Sequence, residues 1–103
     1  MLEYTSGNSL SVDDPEVAFK VSAFPNPTSD VVTLELLTIG TSTLSLQLFD
    51  IQGRQVHLEQ NRVYVNGSAE HSIDLSGIGT GSYILQIIDE QLNSSHIKLI
   101  KTD

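Results

Sequence analysis

The chain has 103 residues, thirteen acidic and five basic side chains, a net charge of −8 and no cysteine. That length holds one small domain, and a hydrophobic content of 39% is that of a folded chain rather than a disordered one. Acidity of this size disfavours nucleic acid and anionic membrane as partners, since both need clustered Lys and Arg, and neither is expected. Without cysteine there are no disulfides, thiolate metal sites or cysteine nucleophiles.

In chain order, residues 1–15 are polar and rich in Ser, Gly, Asn and Asp; they are expected to be a flexible lead-in. The opening MLEYTSGNS lacks both a basic region and an apolar core, so it does not read as an export leader. No apolar run approaches a bilayer span, and no direct membrane insertion is expected. Residues 16–103 are expected to form the folded domain. Val17, Phe19 and Val21 alternate with smaller or polar neighbours, the period of a strand. FPNPTSD (24–30) follows, with prolines that fix φ, lack an N–H and push Phe24 and Asn26 to extended geometry. This rigid corner sets the angle between strands and withholds two N–H groups from a neighbouring edge.

Val32, Leu34 and Leu36 alternate next, TIGTS (38–42) reads as a turn, and Leu44, Leu46 and Leu48 alternate again. DIQG (50–53) is a tight turn, with Asp50 bonding its own downstream backbone and Gly53 taking φ > 0. Val56 and Leu58 begin a new strand. Val63 and Val65 lead to Asn66-Gly67, a strong two-residue hairpin signal, with Ile73 and Leu75 on the return. SGIGTGS (76–82) is a glycine-rich loop. Tyr83, Leu85 and Ile87 form a strand, with Ile84 and Ile88 suggesting burial on both faces. QLNSS (91–95) turns the chain, and Ile97 and Leu99 close it. Roughly seven short strands with turns every ~8–12 residues predict an all-β, antiparallel, immunoglobulin-like sandwich. No helical crossovers support a parallel sheet.

Chemistry-bearing patterns are sparse. Phosphate cradles run from a strand into a helix; the Gly77–Gly81 loop runs into a strand, and no Lys follows. His57, His71 and His96 lie on three predicted strands without the short spacing of a zinc site. The carboxylates lack the alternating pattern of a calcium loop, and there is no G-x-S-x-G elbow. No enzyme active site and no cofactor are expected. Asn66-Gly-Ser and Asn93-Ser-Ser match a glycosylation pattern but fall where turns are expected anyway. Glycan-binding sandwiches stack sugars on exposed aromatic rings; with no Trp, Tyr4 and Tyr64 are the candidate platforms. A β-sandwich module binding glycan or protein is the alternative reading of the whole chain.

Taken in order, FPNPTSD before VVTLEL, LSLQLFDIQGRQV, IDLSGIGTGSYILQI and HIKLIK resemble one family: the type A C-terminal sorting domain of proteins exported by the type IX secretion system of Bacteroidota, the Por secretion tail family. The motif positions are Pro25, Asn26 and Pro27; Asp50, Gly53 and Arg54; Gly81 and Tyr83; and Lys98 and Lys101. The resemblance implies a non-catalytic sorting signal at the end of an exported cargo protein. It implies recognition by the outer-membrane translocon and its shuttle proteins, and removal by a sortase-like cysteine protease. It implies transit through the periplasm to the cell surface or medium. Lys98 and Lys101, two cations on an acidic domain, are the foremost recognition candidates, with the Pro25–Pro27 corner beside them.

Overall fold

The computed structural model of the chain describes residues 18–103; the expected lead-in 1–15 and Tyr4 lie outside them. Six strands are present: β1 (Phe19–Phe24), β2 (Val31–Asp50), β3 (Gln55–Val56), β4 (Arg62–Asp74), β5 (Gly81–Ile88) and β6 (Ser94–Lys101). All their pairings are antiparallel, so the all-β antiparallel class read from the sequence is the observed one.

β2 is the frame. β4 runs along both of its halves, from Val31↔Asp74 to Ser45↔Arg62. On its other side β1 pairs with residues 33–38 and β5 with residues 45–50. β6 then adds to β5. The alternation that defines β2 in the sequence places Val32, Leu34, Leu36, Leu44, Leu46 and Leu48 on one face, all but inaccessible to water. Val65, Leu75, Leu85, Ile87 and Leu99 join them in a single core. A flat sheet leaves one face open, and the described residues contain no helix to cover it. The sheet instead curls over its own apolar face, and that burial is the main stabilising term.

The curl has a local cause. TIGTS and Asn66-Gly67 are not the turns their composition suggests; both lie inside long strands. Between Leu37↔Ser68 and Thr41↔Asn66 the register shifts, so three residues of β2 oppose one of β4. Gly40 (φ +72°) and Gly67 (φ +81°) take the left-handed region at this bulge. A methyl group would meet nothing within 4 Å at either position, so glycine is needed there for φ alone. Thr38, 5% exposed, stitches the bulge. Its hydroxyl donates to the Gly40 carbonyl (2.8 Å) and accepts from the Gly67 N–H (3.2 Å). Bulges of this kind bend strands and turn sheet corners. The sequence offers eight alternating runs, about seven or eight strands; two of the expected breaks are bends, and six strands result.

β5 also differs from expectation. Tyr83, Leu85 and Ile87 are buried, while Ile84 is 36% exposed and Ile88 is half-buried, so the outward face of this strand is covered only in part.

Replacing Thr38 by the isosteric Val keeps the volume and removes both bridging hydrogen bonds. It should cost about 1–3 kcal/mol, the range for stranding buried polar groups. Urea denaturation should show a lower midpoint with an unchanged m-value.

Candidate functional site

FPNPTSD, residues 24–30, links β1 to β2 and lies against the outer edge of β6. Both X-Pro bonds, Phe24–Pro25 and Asn26–Pro27, are cis. Neither proline can donate to a neighbour, yet the edge of β6 is paired here. The Asn26 side chain does it. Its Nδ2 donates to the Lys98 carbonyl (2.8 Å), and its Oδ1 accepts from the Ile100 N–H (3.0 Å). A carboxamide has the donor and acceptor of a peptide group, so Asn26 takes the place of a strand residue between two prolines. Thr28 continues with its backbone, donating to Ile100 O (2.9 Å) and accepting from Thr102 N (2.8 Å). Its hydroxyl donates to Val31 O (2.7 Å) and accepts from Asp30 N (3.2 Å). The Asp30 carbonyl then accepts from Leu75 N (2.8 Å), just past β4. The prolines give no N–H to a neighbouring edge, as the sequence reading has it, and the corner closes the sheet onto β6 through the Asn26 side chain and the Thr28 backbone instead.

The second motif is the turn after β2. The Asp50 carboxylate accepts from Gln52 N (2.9 Å) and Arg54 N (2.9 Å) through Oδ1, and from Arg54 Nε (3.0 Å) through Oδ2. Gly53 sits at φ +83° and donates its N–H to Asp50 O (3.0 Å). The Arg54 N–H is the largest cause holding the Asp50 carboxyl below its ordinary value, helped by Gln52 N–H and the guanidinium. Arg54 is 74% exposed, so its charge contributes little to stability. The same turn recurs between β5 and β6, where Asp89 accepts from Gln91 N (2.9 Å) and Asn93 N (2.8 Å). There Leu92 holds the position of Gly53, at φ +68°.

In the third motif, Tyr83 donates its hydroxyl to Gly79 O (2.7 Å), tying the glycine-rich loop to the strand it precedes. Gly81 opens β5 at φ +146°, opposite Lys101.

These motifs, scattered in sequence, share one end of the sheet. Asp50 pairs with Tyr83, and Tyr83 with Leu99; the Asn26 amide bonds to either side of Leu99. The next rung runs Gly81, Lys101, Thr28. The two lysines separate here. Lys98 is exposed. Lys101 shares the inward face with Ile97 and Leu99, is 8% exposed, and its ammonium donates to the Thr102 carbonyl (3.2 Å). The alternation of β6 carried that signal, and it was missed because lysine is read as a surface residue by default.

The other candidates are not brought together. His57 follows β3, His71 faces inward from β4 with Nε2 unpartnered, and His96 is exposed on β6. Among the described residues no three His, Cys, Asp or Glu side chains could hold a metal ion. Tyr64 is 67% exposed on β4, away from the motif end. A shallow groove between His57–Gln60 and Ser72–Gly77 holds none of the motif residues.

Asn26→Ala removes both amide bonds and should cost about 1–2 kcal/mol at these exposed positions. Asn26→Asp keeps the acceptor for Ile100 but sets a carboxylate against the Lys98 carbonyl. Its deficit should shrink in acid, where the protonated carboxyl can donate; thermal melting across pH reads both. Independently, the carboxyls of Asp50, Asp74 and Glu90 are all held below their ordinary values. The leading causes are the N–H of Arg54, the N–H of Ser76 and the hydroxyl of Ser42. Groups lowered on folding stabilise above their unfolded pKa and lose that contribution as pH falls through the folded one. Melting temperature should therefore drop as pH falls below about 4, and Asp50→Asn should flatten part of that drop.

A family model described as "Secretion system C-terminal sorting domain" matches residues 22–102. A curated relative, an endo-acting ulvan lyase of Formosa agariphila, is 33% identical over 93 residues. The alignment covers 89% of this chain and 17% of the lyase, so the chain spans only a small part of that relative's length.

Proposed function

The chain belongs to the family of secretion system C-terminal sorting domains, a family of targeting signals and not of catalysts, and from that premise we propose that its corner end is what the type IX machinery accepts. The observation that carries the proposal is the convergence of the four motifs. Pro25, Asn26 and Pro27, Asp50, Gly53 and Arg54, Gly81 and Tyr83, and Lys98 with Lys101 come from stretches far apart in sequence, yet occupy adjoining rungs at one end. Lys98 offers an exposed charge to a partner. Asn26, bonded to the Lys98 carbonyl and the Ile100 N–H, holds the backbone that presents it.

In this reading residues 16–103 are the signal and residues 1–15 the link to an upstream cargo domain. The parent protein crosses the periplasm, and the outer-membrane translocon and its shuttle proteins receive the folded domain. A sortase-like cysteine protease then separates it from cargo that ends at the cell surface or in the medium. The Formosa relative is named as a lyase, and the chain aligns with only a small share of it; an exported polysaccharide-cleaving enzyme is one cargo this reading accommodates.

The test is export of a fluorescent reporter fused ahead of residues 1–103 behind a periplasmic signal peptide, in a bacterium with type IX machinery. The intact fusion should reach the surface or medium. A version ending at Asn93, which lacks all of β6, should stay in the periplasm. Folded, intact fusion that remains periplasmic would rule out an autonomous sorting signal and bring forward the binding-module reading.

A further inference from the structure

β5 alternates, so with Tyr83, Leu85 and Ile87 in the core, Ser82, Ile84 and Gln86 face outward. Across the sheet the outward rung is Phe49, Ile84, Lys98, and Ile100 lies diagonally from Ile84, opposite Ser82. Strands are about 4.8 Å apart, so these positions form one continuous strip. Ile51, 78% exposed, extends it at the Asp50 turn. Phe24, 45% exposed, leads into the corner that is bonded to β6 at Lys98 and Ile100. The next outward rung away from the corner is Gln47, Gln86, His96, which is polar.

Single exposed apolar side chains are ordinary. Here each of the four family-matching stretches contributes one, Phe24 from FPNP, Ile51 beside Asp50, Ile84 beside Tyr83 and Ile100 between the lysines, and the half-buried Phe49 lies next to Ile84. None is needed on this face for the core, which is filled from the opposite side of the same strands. An apolar centre bounded by a polar rung is the composition of a protein interface, and the exposed cation beside it, Lys98, adds a charge by which a partner can be selected.

Resting on the sorting reading above, we propose that this outward strip of Phe24, Phe49, Ile51, Ile84 and Ile100 around Lys98 is the contact surface of the domain. Its partner is a protein whose facing surface is apolar and carries a carboxylate for Lys98. The net charge of −8 opposes both a second copy of the chain and an anionic bilayer, so the occupant assigned here is a different protein.

The experiment uses the same exported fusion. Ile84→Ser with Ile100→Ser removes apolar area, and Lys98→Glu reverses the charge. Ile39→Ser with Tyr64→Ser removes exposed apolar area elsewhere. Each purified chain is first checked for a wild-type melting profile; should the double serine variant misfold, the single surface change Lys98→Glu carries the test. Both strip variants should lower exported reporter about tenfold, as loss of central interface residues does, with the control pair unchanged. Co-expressed wild-type chain without cargo should compete with the fusion, and the Lys98→Glu chain should not. Wild-type export by folded strip variants, while the intact fusion is exported, overturns the inference and leaves the sorting reading standing. An intact fusion that is not exported takes both down. Strip-dependent dimerisation in sedimentation, or strip-dependent binding to anionic phospholipid vesicles, overturns the choice of a protein partner.

Discussion

A side-chain amide holds this domain closed. β6 has β5 on one edge, and its other edge would face water with unpaired N–H and C=O groups, the usual hazard of a terminal strand. Asn26 and Thr28 cover the part of that edge from Lys98 to Thr102. The prolines on either side of Asn26 make the arrangement coherent. They fix the backbone so that the amide is presented, and they add no competing N–H. Through Asp30 the same segment reaches the end of β4, so one corner bridges the two outermost parts of the sheet. Everything proposed about recognition depends on β6 being held in this place.

The second constraint is the bulge at Gly40 and Gly67. It turns two long strands into bent ones, lets the sheet fold over its apolar face and brings both halves of β2 into one core. Thr38 shows how such a bend is stabilised without an apolar contact: one buried hydroxyl satisfies a donor and an acceptor that the broken ladder leaves over. The corner and the bulge use the same device, a short polar side chain standing in for main chain.

Much of this was legible in the sequence. Alternation named the core residues of β2 and β5, and the chemistry of Asp50 and Gly53 named their turn and its bond to the downstream backbone. What misled was local signal with two meanings. Glycine at 40 and 67 reports φ > 0, and both a hairpin turn and a bulge require that; only the partner strand decides. Ile84 reads as core because hydrophobicity does not say whether a second layer exists. The role of Asn26 was invisible for a different reason: its partners Lys98 and Ile100 are 72 and 74 positions away, and no window along the chain brings them together. Lys101 lay in between, since its parity with Ile97 and Leu99 pointed inward while its residue type pointed out.

The span between Asn26 and its partners has a kinetic side. Contacts of such long sequence separation require large loops to be closed before they return any stability, and folds dominated by them form slowly. The seam between the corner and β6 joins stretches 72 and 74 positions apart, and it exists only where both are in place. A partner that reads the strip beside it therefore inspects the whole fold at one spot, since a chain with either stretch displaced does not offer that surface.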